Sequence, residues 1–183
     1  MLRPLSSHSR GITERCSLTA DERVRAELAR LRAEVLATRV AMDLLAARAF
    51  DLRNTATAPS AGDAALVAIA LHGWYNAAEQ TLERIALTFE GSLPRGADSH
   101  RALLRAMQLD LGDVRPAVIA KSTETALAEL LKFRNFFRHA YATELYWDRL
   151  TANVDQLAIA HAGLGADLDA CLAMLDELVG APA

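Results

Sequence analysis

The residues best suited to chemistry form one cluster of nine, 133–141, with the sequence Phe-Arg-Asn-Phe-Phe-Arg-His-Ala-Tyr. The guanidinium of Arg134 is a rigid fork of donors that matches phosphoryl oxygens. The imidazole of His139 exchanges protons near neutral pH. Asn135 directly follows the arginine, and Tyr141 lies two residues after the histidine. These residue types predict a site that binds an anion and moves protons.

An arginine followed five residues later by a histidine is a weak signal on its own. The same spacing occurs at Arg3 and His8 and again at Arg95 and His100. Only the copy in 133–141 also carries the asparagine and the tyrosine, and it alone falls on a predicted amphipathic helix. The functional prediction therefore depends on the extended pattern Arg-Asn-x-x-x-His-x-Tyr.

The spacing also limits how this cluster can work. Two positions five apart on a continuous helix differ by about 140° in direction, so Arg134 and His139 cannot easily reach one phosphate from a straight helix. Asn135 and His139 are four apart and share a face, so the amide is expected to orient the imidazole. Either the helix breaks near His139, or a second subunit completes the site.

Five helices are predicted to position the cluster. The first begins at Thr19 or Asp21 and extends for some 35 residues, the second covers about 64–90, and a short third covers about 98–109. The fourth begins at Ser122 and carries the cluster, and a long last helix has a weak point at Gly163 and Gly165. Their apolar residues recur every three or four positions, which favours near-parallel packing. The fold class predicted is an all-α up-and-down bundle of about five helices that forms a dimer.

Composition and charge agree with this architecture. The chain has 37 Ala and 29 Leu among 183 residues, with only 9 Gly and 5 Pro. We expect one domain over residues 19–180, preceded by a flexible arm over residues 1–18. The net charge of −3 excludes a globally basic nucleic-acid binder. Residues 1–53 and 91–141 are each net +3, residues 54–90 are net −3, and residues 142–183 are net −6.

The expected location is the cytoplasm. The longest uninterrupted apolar run, residues 64–71, is too short to cross a bilayer, so no membrane partner is predicted. The first twenty residues lack the apolar core of a secretory signal. Cys16 and Cys171 are far apart in sequence and fit a reducing compartment.

At the extended motif the sequence resembles the HEPN-domain ribonuclease toxins, in particular the HepT-like toxins that pair with a minimal nucleotidyltransferase antitoxin. The resemblance continues through the stretch Leu-His-Gly-Trp-Tyr at 71–75, through residues 79–86, and through the connecting residues 93–119 with Arg115-Pro116. It resumes in Glu144 to Leu150. It therefore covers about residues 65–150, and the first helix carries no family-specific mark.

The resemblance implies a homodimeric, metal-independent endoribonuclease without a cofactor, from a type VII-like toxin–antitoxin pair. Arg134, His139 and Asn135 would be catalytic, with Arg138 and Glu79 supporting them. Tyr141 would accept AMP from the nucleotidyltransferase partner, and the modification would silence the toxin. The chemistry is consistent with this reading, because the 2′-hydroxyl of RNA can attack the adjacent phosphate and needs only proton transfer and charge stabilisation.

Simpler interpretations remain open at several positions. His72, Asn76, Glu79 and Glu83 form a polar stripe that is either a solvated face or a layer around the motif. His161 and Cys171 are expected in the core, and His100 is expected to be an ordinary loop residue or to cap or clamp the short helix. No residues have convincing metal-ligand spacing. The alternative function is a non-catalytic helical partner that binds a nucleotidyltransferase and presents Tyr141, and a purely structural dimer is a further rival.

Overall fold

The computed structural model describes residues 18–139 and 144–180. Within these residues the chain is an all-α bundle of five helices, which confirms that part of the predicted fold class, while the dimer stays a prediction. The five helices are α1 (Ala20–Thr55), α2 (Ala61–Glu90), α3 (Ser99–Met107), α4 (Lys121–Arg138) and α5 (Trp147–Gly180). The predicted arm over residues 1–18 lies almost entirely outside the described residues. Tyr141 lies wholly outside them.

Side chains fix where the first two helices begin. Thr19 and Glu22 form a reciprocal capping box at the start of α1, in which each side chain bonds the backbone N–H of the other residue. Ser60 and Asp63 repeat the arrangement on α2. α2 ends at Gly91, whose φ of 69° is the left-handed conformation that glycine adopts without strain. The predicted cap at Thr19 is thus confirmed.

The long helices α1, α2 and α5 and the shorter α4 surround one apolar core, with α3 packed across α2 and α4. Each helix buries a stripe at spacings of three and four; on α5 the stripe runs Leu150, Val154, Leu157, Ala160, Leu164, Leu168, Cys171 and Leu175. The core is completed by Trp74 and Tyr75 of α2, both fully buried. α4 and α2 are therefore held side by side, with α3 across them.

α1 and α5 run antiparallel, and oppositely charged side chains join them at seven- and fourteen-residue intervals. The pairs are Arg32 with Asp176, Arg39 with Asp169, and Arg53 with Asp155. The positive charge of the N-terminal segment and the negative charge of the C-terminal segment therefore meet across one helix pair.

Two sequence expectations are wrong in this region. α5 continues without a break through Gly163 and Gly165. An added Cβ at Gly163 would lie 2.7 Å from Thr123 Oγ1, so this glycine lets α4 and α5 approach closely. α4 begins at Lys121, one residue earlier than predicted, and its N-cap Ala120 offers no side-chain bond.

Of the described helices, α5 alone is long and apolar enough to cross a membrane by length and composition. Core helices of bundles often pass this test, and the apolar character of α5 matches its buried stripe against α1, α2 and α4. Its outward face carries the aspartates that pair with α1. Its packing in the bundle accounts for the apolar residues of the buried stripe.

Candidate functional site

The motif arginine lies inside the protein. Arg134 is on the inner face of α4, and its side chain is only 9% exposed. Its Nη2 lies 3.2 Å from Oε2 of Glu79 on α2, and the Glu79 side chain is 8% exposed. A buried guanidinium needs such a partner, because an unpaired buried charge is costly. Glu79, predicted as a supporting residue, is therefore in direct contact with Arg134.

A histidine from the short helix completes this contact. His100 Nδ1 lies 2.7 Å from Glu79 Oε1, and His100 Nε2 lies 3.2 Å from Arg134 Nη1. Since a guanidinium only donates, His100 Nε2 accepts from Arg134 and Nδ1–H donates to Glu79. The imidazole thus bridges the two charged groups in its Nδ1–H form, and α2, α3 and α4 each supply one member of the cluster.

Two further groups bond to this cluster. The Tyr75 hydroxyl donates to Glu79 Oε1 over 3.4 Å. Burial, followed by the negative charge of Glu79, raises the pKa of Tyr75 well above its ordinary value. The Asn135 carbonyl oxygen accepts from Arg134 Nη1 over 3.3 Å. The structure therefore links Asn135 to Arg134, whereas the sequence suggested a bond to His139.

The remaining polar residues of α2 lie beside the cluster. His72 contacts the ring of Phe137 at 5.2 Å between centroids, and its Nε2 lies 3.0 Å from Asn76 Nδ2. The pKa of His72 is lowered, first by burial and then by the charges of Arg134 and Arg138. A neutral imidazole is thereby favoured at this position, close to the motif helix.

Glu83 lies one turn further along α2, and the charges of the cluster also change its pKa. Burial raises its pKa, and the neighbouring charge of Glu79 raises it further. His100 and Arg134 act in the opposite direction. The polar stripe from His72 to Glu83 is therefore a layer around the motif rather than a fully solvated face.

Two buried nitrogens in this region have no hydrogen-bond partner among the described residues. They are Arg134 Nε and His72 Nδ1. Unpaired buried polar groups are uncommon and costly. Arg134 consequently keeps donor capacity in spite of its three partners.

The motif histidine occupies a different position. α4 ends at Arg138, and His139 is its C-terminal cap, with its N–H bonded to the Phe136 carbonyl over 3.1 Å. His139 and Arg138 are exposed, whereas Arg134 is buried. Arg134 therefore lies inside the bundle and His139 is exposed where α4 ends, so the helix breaks near His139, which is one of the two alternatives that the five-residue spacing left open. Tyr141, the predicted modification site, lies outside the described residues.

Sequence reasoning overlooked the role of His100. It lies on α3, not in a loop, and it contacts both Glu79 and Arg134. A possible signal was present, because His100 belongs to the second Arg-x-x-x-x-His match and to the segment that resembles the family's connecting region. The bond also depends on how α3 packs across α2 and α4, which no local pattern encodes.

His161 and Cys171, which the sequence placed in the core, contact other residues of the bundle and not the motif. His161 Nδ1 accepts from the indole N–H of the buried Trp74 over 3.2 Å, and its Nε2 lies 3.5 Å from Asp43. Cys171 is buried, and burial raises the pKa of its thiol to about 11. Across residues 18–139 and 144–180 no cluster of three His, Cys, Asp or Glu side chains could hold a metal ion.

Comparison with known proteins adds one match. The model of the family described as HepT-like protein matches residues 66–175, well over half of the chain. No curated protein and no solved structure matches it. The match spans α2, α3 and α4, the helices that supply Glu79, His100 and Arg134, and most of α5. The chain therefore belongs to the HepT-like family.

Proposed function

We propose that this protein is a metal-independent endoribonuclease, the toxin of a toxin–antitoxin pair. One observation carries the proposal. The motif arginine Arg134 is anchored by Glu79 and His100 five residues before an exposed histidine, His139, in a chain of the HepT-like family. Anchoring by two other helices gives a guanidinium a fixed position, which charge stabilisation in a transition state requires.

The proposed reaction uses the RNA's own nucleophile. A neutral His139 removes the proton of a 2′-hydroxyl, and the oxygen attacks the adjacent phosphorus. The P–O5′ bond breaks as a protonated imidazole gives its proton to the departing O5′. The products are a 2′,3′-cyclic phosphate and a 5′-hydroxyl. Arg134 stabilises the negative charge on the phosphoryl oxygens.

The site is proposed to be complete only in a homodimer. Within one protomer Arg134 is buried, and His139 is exposed at the C-terminal end of α4. A second copy would place another His139 in the cleft, so that one imidazole acts as base and the other as acid. Asn135 and Glu79 would then hold Arg134 in place, and the exposed Arg138 would attract the RNA backbone.

Control of the toxin is proposed to occur at Tyr141. A partner nucleotidyltransferase would transfer AMP to this hydroxyl, two residues after His139. The added phosphate would repel RNA phosphates, and the nucleoside would fill the cleft. We further propose that the pair acts in the cytoplasm, which the free Cys171 thiol fits.

The decisive experiment is an RNA cleavage assay with the purified, unmodified chain in the presence of a chelator. We expect cleavage by the wild type and none by His139→Ala. Since His139 is exposed, this variant should unfold at the same temperature as the wild type. Cleavage that survives His139→Ala, or that is absent from the unmodified dimer, would refute the proposed enzyme.

The control of the toxin has its own test. The chain is co-expressed with a minimal nucleotidyltransferase and examined by peptide mass spectrometry. AMP on Tyr141 is expected, together with loss of RNA cleavage. Modification at another residue, with Tyr141 unmodified, would contradict the acceptor role.

A second candidate function is favoured by the burial of Arg134. A guanidinium that is already bonded to Glu79, His100 and Asn135 is also what a non-catalytic bundle would use to fix α4. In that case the chain binds the nucleotidyltransferase and presents Tyr141 without cutting RNA. Modification of Tyr141 in a protein that never cleaves RNA would identify this function.

A further inference from the structure

A cavity of about 450 Å³ lies between the end of α4 and the start of α5. Phe133 and Phe136 of α4 line one side, and Tyr146 and Arg149 line the other, with Gln156 further along α5. Ligand sites usually have volumes of about 300–1,000 Å³ and are apolar with a few polar groups. The cavity has the size and lining of a site for a small aromatic group.

Two aromatic residues of the cavity are exposed. Phe136 is 46% exposed and Tyr146 is 56% exposed, whereas Phe133 is buried below them and stacks on Phe137. Exposed rings on a rigid base are the means by which proteins stack unpaired nucleobases. The Arg149 guanidinium lies 5.8 Å from the centre of the Tyr146 ring and adds a second planar group.

The polar groups of the cavity suit the edge of a base. The Asn153 amide donates to the Arg149 carbonyl over 2.7 Å, which leaves its own carbonyl oxygen as an acceptor. The Gln156 amide offers both a donor and an acceptor. These amides lie on one face of α5, three residues apart. They are the kind of group that reads a base by hydrogen bonding.

The charges of the cavity balance, which selects a neutral ligand group. Lys132 is held by both carboxylate oxygens of Glu129, at 2.7 and 2.8 Å. Glu144 and Arg149 are the other charged residues in the lining. Two cations and two carboxylates do not favour a phosphate inside the cavity. A nucleobase is neutral and aromatic and fits this environment.

The cavity adjoins the motif histidine. Lys132, Phe136 and His139 follow each other at spacings of four and three on the exposed face of α4. The His139 N–H bonds the Phe136 carbonyl, so the two residues are one turn apart. A base held against Phe136 would therefore place its neighbouring phosphate beside the exposed imidazole.

We propose that this cavity binds an unpaired nucleobase of the RNA, next to the phosphate that is cut. The inference rests on the proposed ribonuclease function and names its substrate class as single-stranded RNA. A base inside a duplex is stacked and paired, and it cannot enter the cavity without the cost of being extruded. The choice of base would be set by Asn153 and Gln156.

The test uses a binding assay that does not require cleavage. Fluorescence anisotropy is measured with His139→Ala protein and labelled RNA oligonucleotides, in single-stranded and duplex form. We expect Tyr146→Ala in this background to weaken single-strand binding by about tenfold, as loss of one stacked base does. Ile69→Ala removes an equally exposed side chain of α2, outside the cavity, and should have no effect.

A second arm uses RNA with one abasic position. Removing the base that occupies the cavity should weaken binding to the intact cavity, and Tyr146→Ala should have no further effect on that oligonucleotide.

Equal binding of duplex and single strand, or an unchanged affinity in Tyr146→Ala, would overturn the proposal. Conversion of a dimer to a monomer by Tyr146→Ala, measured by light scattering, would also overturn it, because the cavity would then be a subunit contact. If the wild type fails to cleave RNA but the binding results hold, the proposed function fails and the base site stands.

Discussion

At the scale of single residues, the buried contact between Arg134 and Glu79 determines how the motif is used. Both side chains are less than a tenth exposed, and His100 bridges them. The contact that would fix Arg134 in the proposed reaction is also a structural link between α2 and α4. Stability and activity must therefore be measured separately for any change at these positions.

We expect Glu79→Leu and Arg134→Met each to lower the free energy of unfolding by roughly 3–5 kcal/mol, because each leaves the other charge buried without its partner. The double variant should recover most of that loss, since no buried charge of the pair remains, while RNA cleavage stays absent. Urea unfolding gives the free energies. Losses that simply add in the double variant would show that the two residues act independently.

His72 gives the pH dependence of this region a definite sign. Its pKa is lowered in the folded protein from an ordinary value of 6.5, so the unfolded chain binds more protons between the two pKa values. The free energy of unfolding must then fall as the pH drops below about 6.5. We expect a smaller fall in His72→Gln, measured by urea unfolding near neutral pH and well below 6.5. An equal fall in both proteins would contradict the lowered pKa.

The sequence predicted part of this site at the residue scale. The spacing predicted that a straight helix could not bring Arg134 and His139 to one phosphate, because helical geometry fixes the angle between positions five apart. The helical spacing of polar residues on α2 placed Glu79 on a stripe that could face the motif. The bonds of His100 could not be predicted, since they depend on the packing of a short helix whose start was placed only approximately.

At the scale of helices, the contact between α4 and α5 depends on the absence of one side chain. Gly163 faces Thr123 so closely that a Cβ would lie 2.7 Å from its hydroxyl oxygen. Gly165, two residues further, has only the end of the Arg39 side chain within reach, at 3.9 Å. Close packing against α4 therefore requires a glycine at position 163, whereas no close contact requires one at position 165.

We expect Gly163→Ala to lower the free energy of unfolding by about 1–3 kcal/mol through overpacking. Gly165→Ala is the matched control and should raise it by about 0.4–1 kcal/mol, because alanine restricts the unfolded chain and favours the helix. Thermal unfolding distinguishes the two. Adding Thr123→Ala to Gly163→Ala should restore stability; a Gly163→Ala protein as stable as the wild type would show that α4 and α5 can separate without cost.

Helix positions followed closely from the sequence, because apolar stripes and capping residues are local signals. Thr19 caps the start of α1 and Gly91 caps the end of α2, as their residue types favour. The predicted weak point at Gly163 and Gly165 was wrong for a physical reason. A glycine that serves close packing looks the same in a sequence as one that ends a helix.

At the scale of the whole molecule, one buried arginine outside the motif joins several segments. The Arg115 side chain is fully buried, and it donates to Glu90 at the end of α2 over 2.6 and 2.9 Å. It also donates to the carbonyls of Ala106, Leu109 and Pro116, over 3.0–3.1 Å. Arg115 therefore holds α3, and with it His100, against the rest of the bundle.

We expect Arg115→Met to lower the free energy of unfolding by roughly 3–5 kcal/mol, because Glu90 and the carbonyls lose their donor. Arg115→Lys should recover little, since an ammonium cannot replace a planar fork with several donors. Arg105→Met, an exposed arginine of α3, is the control and should leave stability nearly unchanged. Urea unfolding is the measurement, and a stable Arg115→Met protein would contradict this role.

The architecture as a whole was predictable from composition, apolar spacing and charge. The uneven charge of the segments is explained by the arginines of α1 and the aspartates of α5, which pair across the bundle. Arg115 was part of the family resemblance, but its burial was not predictable. An arginine in a connecting segment is exposed in most proteins, and only the completed fold surrounds it with carbonyl groups.

The position of Arg115 also indicates where the chain would not tolerate an insertion. A protease cut or an added epitope tag within residues 109–116 would separate the donor from the carbonyl groups that it binds. The turn at Thr57–Pro59 is exposed and lies before the helices that carry the motif. A fluorescent label for following this protein in cells is therefore best placed in that turn.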